Sequence, residues 1–67
     1  MFYDHSLSAR QTQCLFYLSQ GHTYKEIARE MSISPRTVEY YIEIIRDKTG
    51  CARKFELVSY YHQKCAA

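Results

Sequence analysis

GHTYKEIAREMSISPRTVEYYIEIIRDKTG, Gly21 to Gly50, carries two helix starts and two helix stops within thirty positions. Thr23 and Glu26 fit a capping box, in which a hydroxyl and a carboxylate each satisfy an amide that the first turn leaves open. Tyr24, Ile27, Ala28 and Met31 then recur at i, i+3, i+4 and i+7, which places them on one face of a short helix. Ser32 and Ile33 make the turn. Ser34 is a cap for a second helix, and Pro35 suits its first position because its missing N–H has no partner there anyway. Val38, Ile42 and Ile45 form the buried stripe of that helix, and Gly50 can end it in a left-handed conformation. Two capped helices this close, the second with a polar outer face, predict a helix-turn-helix.

Upstream, Ser8 and Gln11 repeat the capping-box pattern, so a first helix is expected from about Ala9 to Gln20. Leu7, Gln11, Cys14, Leu15 and Leu18 share its inner face. Downstream, a last helix is expected from about Lys54 to Lys64, with Leu57, Val58 and Tyr61 facing inward. Phe55, Ser59 and His62 form a second, partly apolar strip on it. Arg53 is a poor cap, which leaves the start of this helix open to fraying. The fold class that follows is all-α, a compact four-helix domain containing a helix-turn-helix. It occupies residues 1–67 as one unit, with 1–6 and 65–67 loosely ordered.

KEIAREMSISPRTVEYYI resembles the core of the LuxR-type helix-turn-helix, the DNA-binding output domain of many bacterial transcription regulators. LSARQTQCLFYLSQG upstream and CARKFELVSYY downstream extend the resemblance over about Leu7 to Tyr61. The combination of LSAR, the Gly21 stop, KEIA and SPRTVE is specific, whereas each piece alone occurs in many helix-turn-helix families. The resemblance implies that the positions of Glu39, Tyr40 and Glu43 face bases, and that Lys25 and Thr37 contact the DNA backbone. It also implies pairing of two copies through the last helix. The family often has lysine at the position of Glu39 and usually has glutamate at that of Gln11. If that glutamate pairs with a buried arginine, Gln11 replaces the ion pair with a neutral hydrogen bond.

Composition bounds the rest. Sixty-seven residues hold one small domain with a modest core. No run of about 18 apolar residues exists, so no membrane span is expected. The start, MFYDHSLSAR, lacks a charged-then-apolar signal pattern, and a cytoplasmic location is expected. Nine Lys and Arg against seven Asp and Glu give a net charge of +2, short of the strongly basic stripe of many nucleic-acid binders. Cys14, Cys51 and Cys65 are an odd number without close pairing, so they are read as thiols, with Cys14 packed as a small hydrophobe. His5, His22 and His62 stand too far apart in sequence for a Cys/His metal site. Gly21 and Gly50 cannot make a phosphate loop, and no catalytic Ser/His/acid or Cys/His set stands out. Neither metal, cofactor, small-molecule ligand nor enzymatic activity is expected. Tyrosine is abundant, but the seven residues are scattered over helices and do not suggest a stacking platform for single strands.

Function therefore turns on the third helix. At about 100° per residue, Arg36, Tyr40, Glu43 and Asp47 point away from Val38, Ile42 and Ile45, with Glu39 and Ile44 on the flanks. A helix fits the major groove of DNA and reaches base edges with its first turns. The base-contact candidates are Arg36, Glu39, Tyr40 and Glu43. A glutamate in this position can accept a hydrogen bond from cytosine N4. The competing reading is a solvated face, although the like-charged i,i+4 pairs Glu39–Glu43 and Glu43–Asp47 would weaken it. Phosphate-contact candidates are Lys25, Ser34, Thr37, Tyr41, Arg46 and Lys48. Phe55, Ser59 and His62 are the dimer-interface candidates.

The reading is sequence-specific binding of double-stranded DNA by a transcription regulator or its output domain, with helix 3, about 35–49, in the major groove. The expected partners are DNA, a second copy of the chain and RNA polymerase. Two alternatives stand beside it: a helical protein-interaction module, favoured by the acidic outer face, and the DNA-anchoring piece of a larger enzyme such as a recombinase.

Overall fold

The computed structural model describes residues 7–65. The loose order expected at 1–6, 66 and 67 lies outside the described residues, as do His5 and Tyr3. Four α-helices follow in order, α1 Ala9–Ser19, α2 Tyr24–Met31, α3 Pro35–Thr49 and α4 Lys54–Tyr60, and a π-helical turn spans Tyr61–Cys65. Helix α1 is the hub, packed against α2, α3, α4 and the π-helical turn, while α3 also packs on α2. Leu7, Cys14, Leu15, Leu18, Ile27, Ala28, Met31, Val38, Ile42, Ile45 and Leu57 form one buried cluster. These are the apolar stripes that the spacing predicts, brought face to face.

Each helix start follows from a named side chain. Ser8 Oγ accepts from the N–H of Gln11 at 3.1 Å, and Gln11 Oε1 accepts from the N–H of Ser8 at 3.0 Å. Gln11 is buried and spends its carboxamide oxygen on the cap of its own helix; it does not stand in for one half of an ion pair. Thr23 and Glu26 form the same reciprocal pair at the start of α2, at 3.2 and 2.9 Å. Ser34 Oγ accepts from the N–H of Thr37 at 3.1 Å, with Pro35 in the first turn of α3.

The stops are equally explicit. Gly21 has φ +89°, with its N–H bonded to Leu18 O and the N–H of His22 to Tyr17 O. Ser32, with φ +58°, repeats this arrangement at the end of α2: its N–H bonds Arg29 O and the N–H of Ile33 bonds Ala28 O. This is the Schellman motif, with serine where glycine is usual. Gly50, at φ +75°, closes α3 through one bond from its N–H to Arg46 O. A Cβ at Gly21 or Gly50 would meet nothing within 4 Å, so the backbone angle alone calls for glycine there.

The last helix departs from expectation. It is α-helical only to Tyr60, and the backbone then widens into the π-helical turn instead of continuing to Lys64. Its start is not left open by Arg53: Glu56 Oε1 accepts from the N–H groups of Ala52 at 2.7 Å and Arg53 at 3.1 Å. Those two backbone bonds hold the Glu56 carboxyl below the usual glutamate range. Leu57 is fully buried and Tyr61 is half-buried and packed against the core, whereas Val58 is only half-buried and is not part of that packing.

Burial pushes the Cys14 thiol up to about 11, which leaves it protonated and acting as a small apolar group in the core. A line of ring contacts ties α1 to the turn that follows it and to the π-helical turn. His22 meets Tyr17 at 5.5 Å, Tyr17 meets Phe16 at 5.3 Å, Phe16 meets Tyr61 at 5.9 Å and Tyr61 meets His62 at 5.7 Å.

Two outcomes follow. Ser34→Ala should lower stability by about 1 kcal/mol, a drop of roughly 4–8 °C in melting temperature for a domain of this size. An unchanged melting temperature would remove Ser34 as the cap. Glu56→Ala should lower the melting temperature at neutral pH. The folded pKa of Glu56 lies below its unfolded value of about 4.3, so its contribution is full above that value. It is lost as pH falls through the folded pKa. The gap between parent and variant should therefore close on acidification; a gap independent of pH would mean that the carboxylate does not hold the start of α4.

Candidate nucleic-acid interface

Helix α3 is held on its inner side by Val38, Ile42 and Ile45, each at most 1% exposed. That burial fixes what the opposite side presents. Arg36, Glu39, Tyr40 and Glu43 are all exposed, and together they line one shallow depression on the outer face of α3. Their spacings explain this, since i,i+3 and i,i+4 neighbours meet on a helix surface. Tyr40 is 62% exposed, the ring of a large side chain turned to solvent. It is steadied from one side by Tyr41, whose ring lies 6.4 Å away at 38°. Tyr41 itself is half-buried and packs against the core, on the border where the sequence places it.

The candidate phosphate contacts lie in the first turn of α2, at the cap of α3 and along α3. Lys25 is exposed in the first turn of α2. Arg46 and Lys48 are exposed in the last turn of α3, where cations also suit the negative end of the helix dipole. Ser34 is exposed at the start of α3. Thr37 is half-buried, and its Oγ1 lies 3.0 Å from Ser34 Oγ, so both hydroxyls are engaged in the local cap. That cap uses one of the three hydrogen-bonding positions of the Thr37 hydroxyl, whose proton stays free when Ser34 is the donor between them. Among the described residues no group of His, Cys, Asp and Glu is placed to hold a metal ion.

On α4, Phe55 is 66% exposed and Ser59 and His62 are exposed as well. Phe55 also shares a shallow apolar depression with Val58 and Lys54. Val58, expected in the core, is the residue that sequence reasoning missed here. Its i,i+3 relation to Phe55 is the signal that could have found it.

The family described as bacterial regulatory proteins, luxR family, matches residues 5–61. The transcriptional activator protein AhyR of Aeromonas hydrophila is 37% identical over 54 residues, covering 81% of this chain and 21% of that protein. CarR of Pectobacterium carotovorum, also named a transcriptional activator protein, is 35% identical over 66 residues, with 88% and 27% covered. The HTH-type transcriptional activator RamA of Corynebacterium glutamicum is 38% identical over 53 residues, with 79% and 19% covered. The chain thus spans about a quarter or less of the length of these relatives. No solved structure matches it significantly.

Proposed function

Because the chain belongs to the luxR family of bacterial regulatory proteins and has that family's DNA-binding, transcription-regulating function, we propose that it binds duplex DNA by laying α3 in the major groove. The observation that carries this docking is the depression formed by Arg36, Glu39, Tyr40 and Glu43 on the outer face of α3. Those four side chains take the base edges. Lys25, Arg46 and Lys48 take phosphates, with Tyr41 reaching out from its border position and Thr37 donating its hydroxyl proton. Ser34 sets the helix end whose free amides favour an anion.

Two copies pair on a roughly palindromic site. The exposed side of α4 that carries Phe55, with Ser59, His62 and the apolar depression of Phe55, Val58 and Lys54, is the surface they share. By likeness to relatives named as transcriptional activators, the regulated step is activation, with RNA polymerase as the further partner. The domain does its work without catalysis or a cofactor, in the cytoplasm; none of its described helices is long and apolar enough to cross a membrane.

Salt titration of binding to random and to selected duplexes tests the docking. Affinity should fall steeply with salt, because phosphate neutralisation releases counterions. Replacing both Glu39 and Glu43 by Gln should raise affinity for random DNA and lower the ratio of specific to non-specific binding. A double variant that binds random DNA no better than the parent at low salt would mean that these carboxylates point away from the DNA. Absence of any duplex binding would leave the helical protein-interaction module as the better reading. For the pairing, Phe55→Glu should reduce cooperative occupancy of two half-sites more than binding to one, read by sedimentation with single and palindromic duplexes. Undiminished cooperativity would refute this surface.

A further inference from the structure

The geometry points to a base preference: the outer face of α3 selects cytosine·guanine pairs, with a cytosine amino group opposite each of Glu39 and Glu43. This rests on the groove docking proposed above and adds what the groove must contain. Along α3 the four residues of the depression alternate in hydrogen-bonding character: Arg36 donates, Glu39 accepts, Tyr40 carries a hydroxyl that can donate, and Glu43 accepts. Among the described residues, neither Arg36, Glu39 nor Glu43 has a hydrogen-bond or ion-pair partner that would occupy it. The alternation is therefore presented to whatever docks there.

The major-groove edges respond to this pattern unequally. Guanine offers only acceptors, O6 and N7, and thymine offers O4 beside a methyl group, so a carboxylate gains nothing from either. Adenine offers its N6 amino group, but N7 beside it is an acceptor that opposes the second carboxylate oxygen. Cytosine offers its N4 amino group with only a C–H edge alongside. Cytosine thus lets a glutamate reach an amino group from its C–H side, away from the O6 acceptor of the paired guanine. Its partner guanine then presents O6 and N7 to a neighbouring donor, which is the role of Arg36 and of the Tyr40 hydroxyl.

The dimensions agree. Four residue steps from Glu39 to Glu43 rise by about 6 Å, which is close to two base steps of about 3.4 Å. The two carboxylates, one helical turn apart, therefore read different base pairs. Each should contribute on the order of a tenfold preference for cytosine over the other bases.

Selection from a random duplex pool with the parent, Glu39→Lys and Glu43→Lys tests this. Both positions are exposed, so folding is checked simply by matched melting curves. The parent should select half-sites with cytosine at two positions. Each lysine variant should exchange cytosine for guanine at one of them and leave the other unchanged, because an ammonium seeks O6 and N7. Replacing a selected cytosine by 2-pyrimidinone, which lacks the N4 amino group, should weaken the parent by about tenfold and leave the corresponding variant indifferent. A parent site without the two cytosines, or a site that both variants select unchanged, overturns this inference while leaving groove docking intact. Failure of the parent to select any duplex overturns the docking itself and this preference with it.

Discussion

The structure depends on a turn of three residues, Ser32, Ile33 and Ser34, between the last residue of α2 and the first of α3. A link this short leaves α3 little freedom relative to α2. It is possible only because Ser32 adopts a left-handed conformation, φ +58° and ψ +43°, which costs a residue with a side chain about 1–2 kcal/mol. The strain is offset locally. Ser32 and Ile33 donate to the carbonyls that the end of α2 leaves open, Ile33 packs against the core, and Ser34 caps the next helix at once. The turn leaves few polar groups unmet on either side, so the angle between the two helices is set by covalent geometry and hydrogen bonds before the core is considered.

Helix α1 converts that angle into a rigid platform. Cys14, Leu15 and Leu18 are at most 2% exposed and touch the stripes of the other helices from one side. With all of Val38, Ile42 and Ile45 committed to this cluster, α3 cannot rotate about its axis without exposing apolar surface, at about 25 cal/mol per Å². The outward direction of Arg36, Glu39, Tyr40 and Glu43 is therefore a consequence of the core, not a property of those residues.

Much of this was legible because helix ends are written in specific side chains. The capping pairs Ser8–Gln11 and Thr23–Glu26, the Ser34-Pro35 start and the Gly50 stop all stand where the residue types place them. The period of α3 likewise tells its two faces apart. The left-handed serine was not legible, because serine at that position is identified by the bond from Ile33 to Ala28 and not by its own type. Helix α4 was misjudged for two reasons. Its cap is supplied from within by Glu56, and the π-helical turn after Tyr60 ends the 3.6-residue period short of Lys64. The line of rings from His22 to His62 was also invisible in sequence, since Phe16 and Tyr61 meet only through the docking of the chain's end on α1.

The placement of charge on this small platform has a consequence for how it can be selective. A net charge of +2, with two carboxylates among the exposed residues of α3, would give one copy docked as proposed little non-specific attraction to a polyanion. Affinity from phosphates depends on the number neutralised, and the proposed contacts Lys25, Arg46 and Lys48 are few. In that docking, binding would draw on base contacts that satisfy the carboxylates and on the joining of two copies, where the second contact becomes intramolecular and gains from effective concentration. Discrimination would follow because the wrong base leaves a carboxylate facing another acceptor. Low attraction everywhere would then let a few correct hydrogen bonds decide where two copies settle.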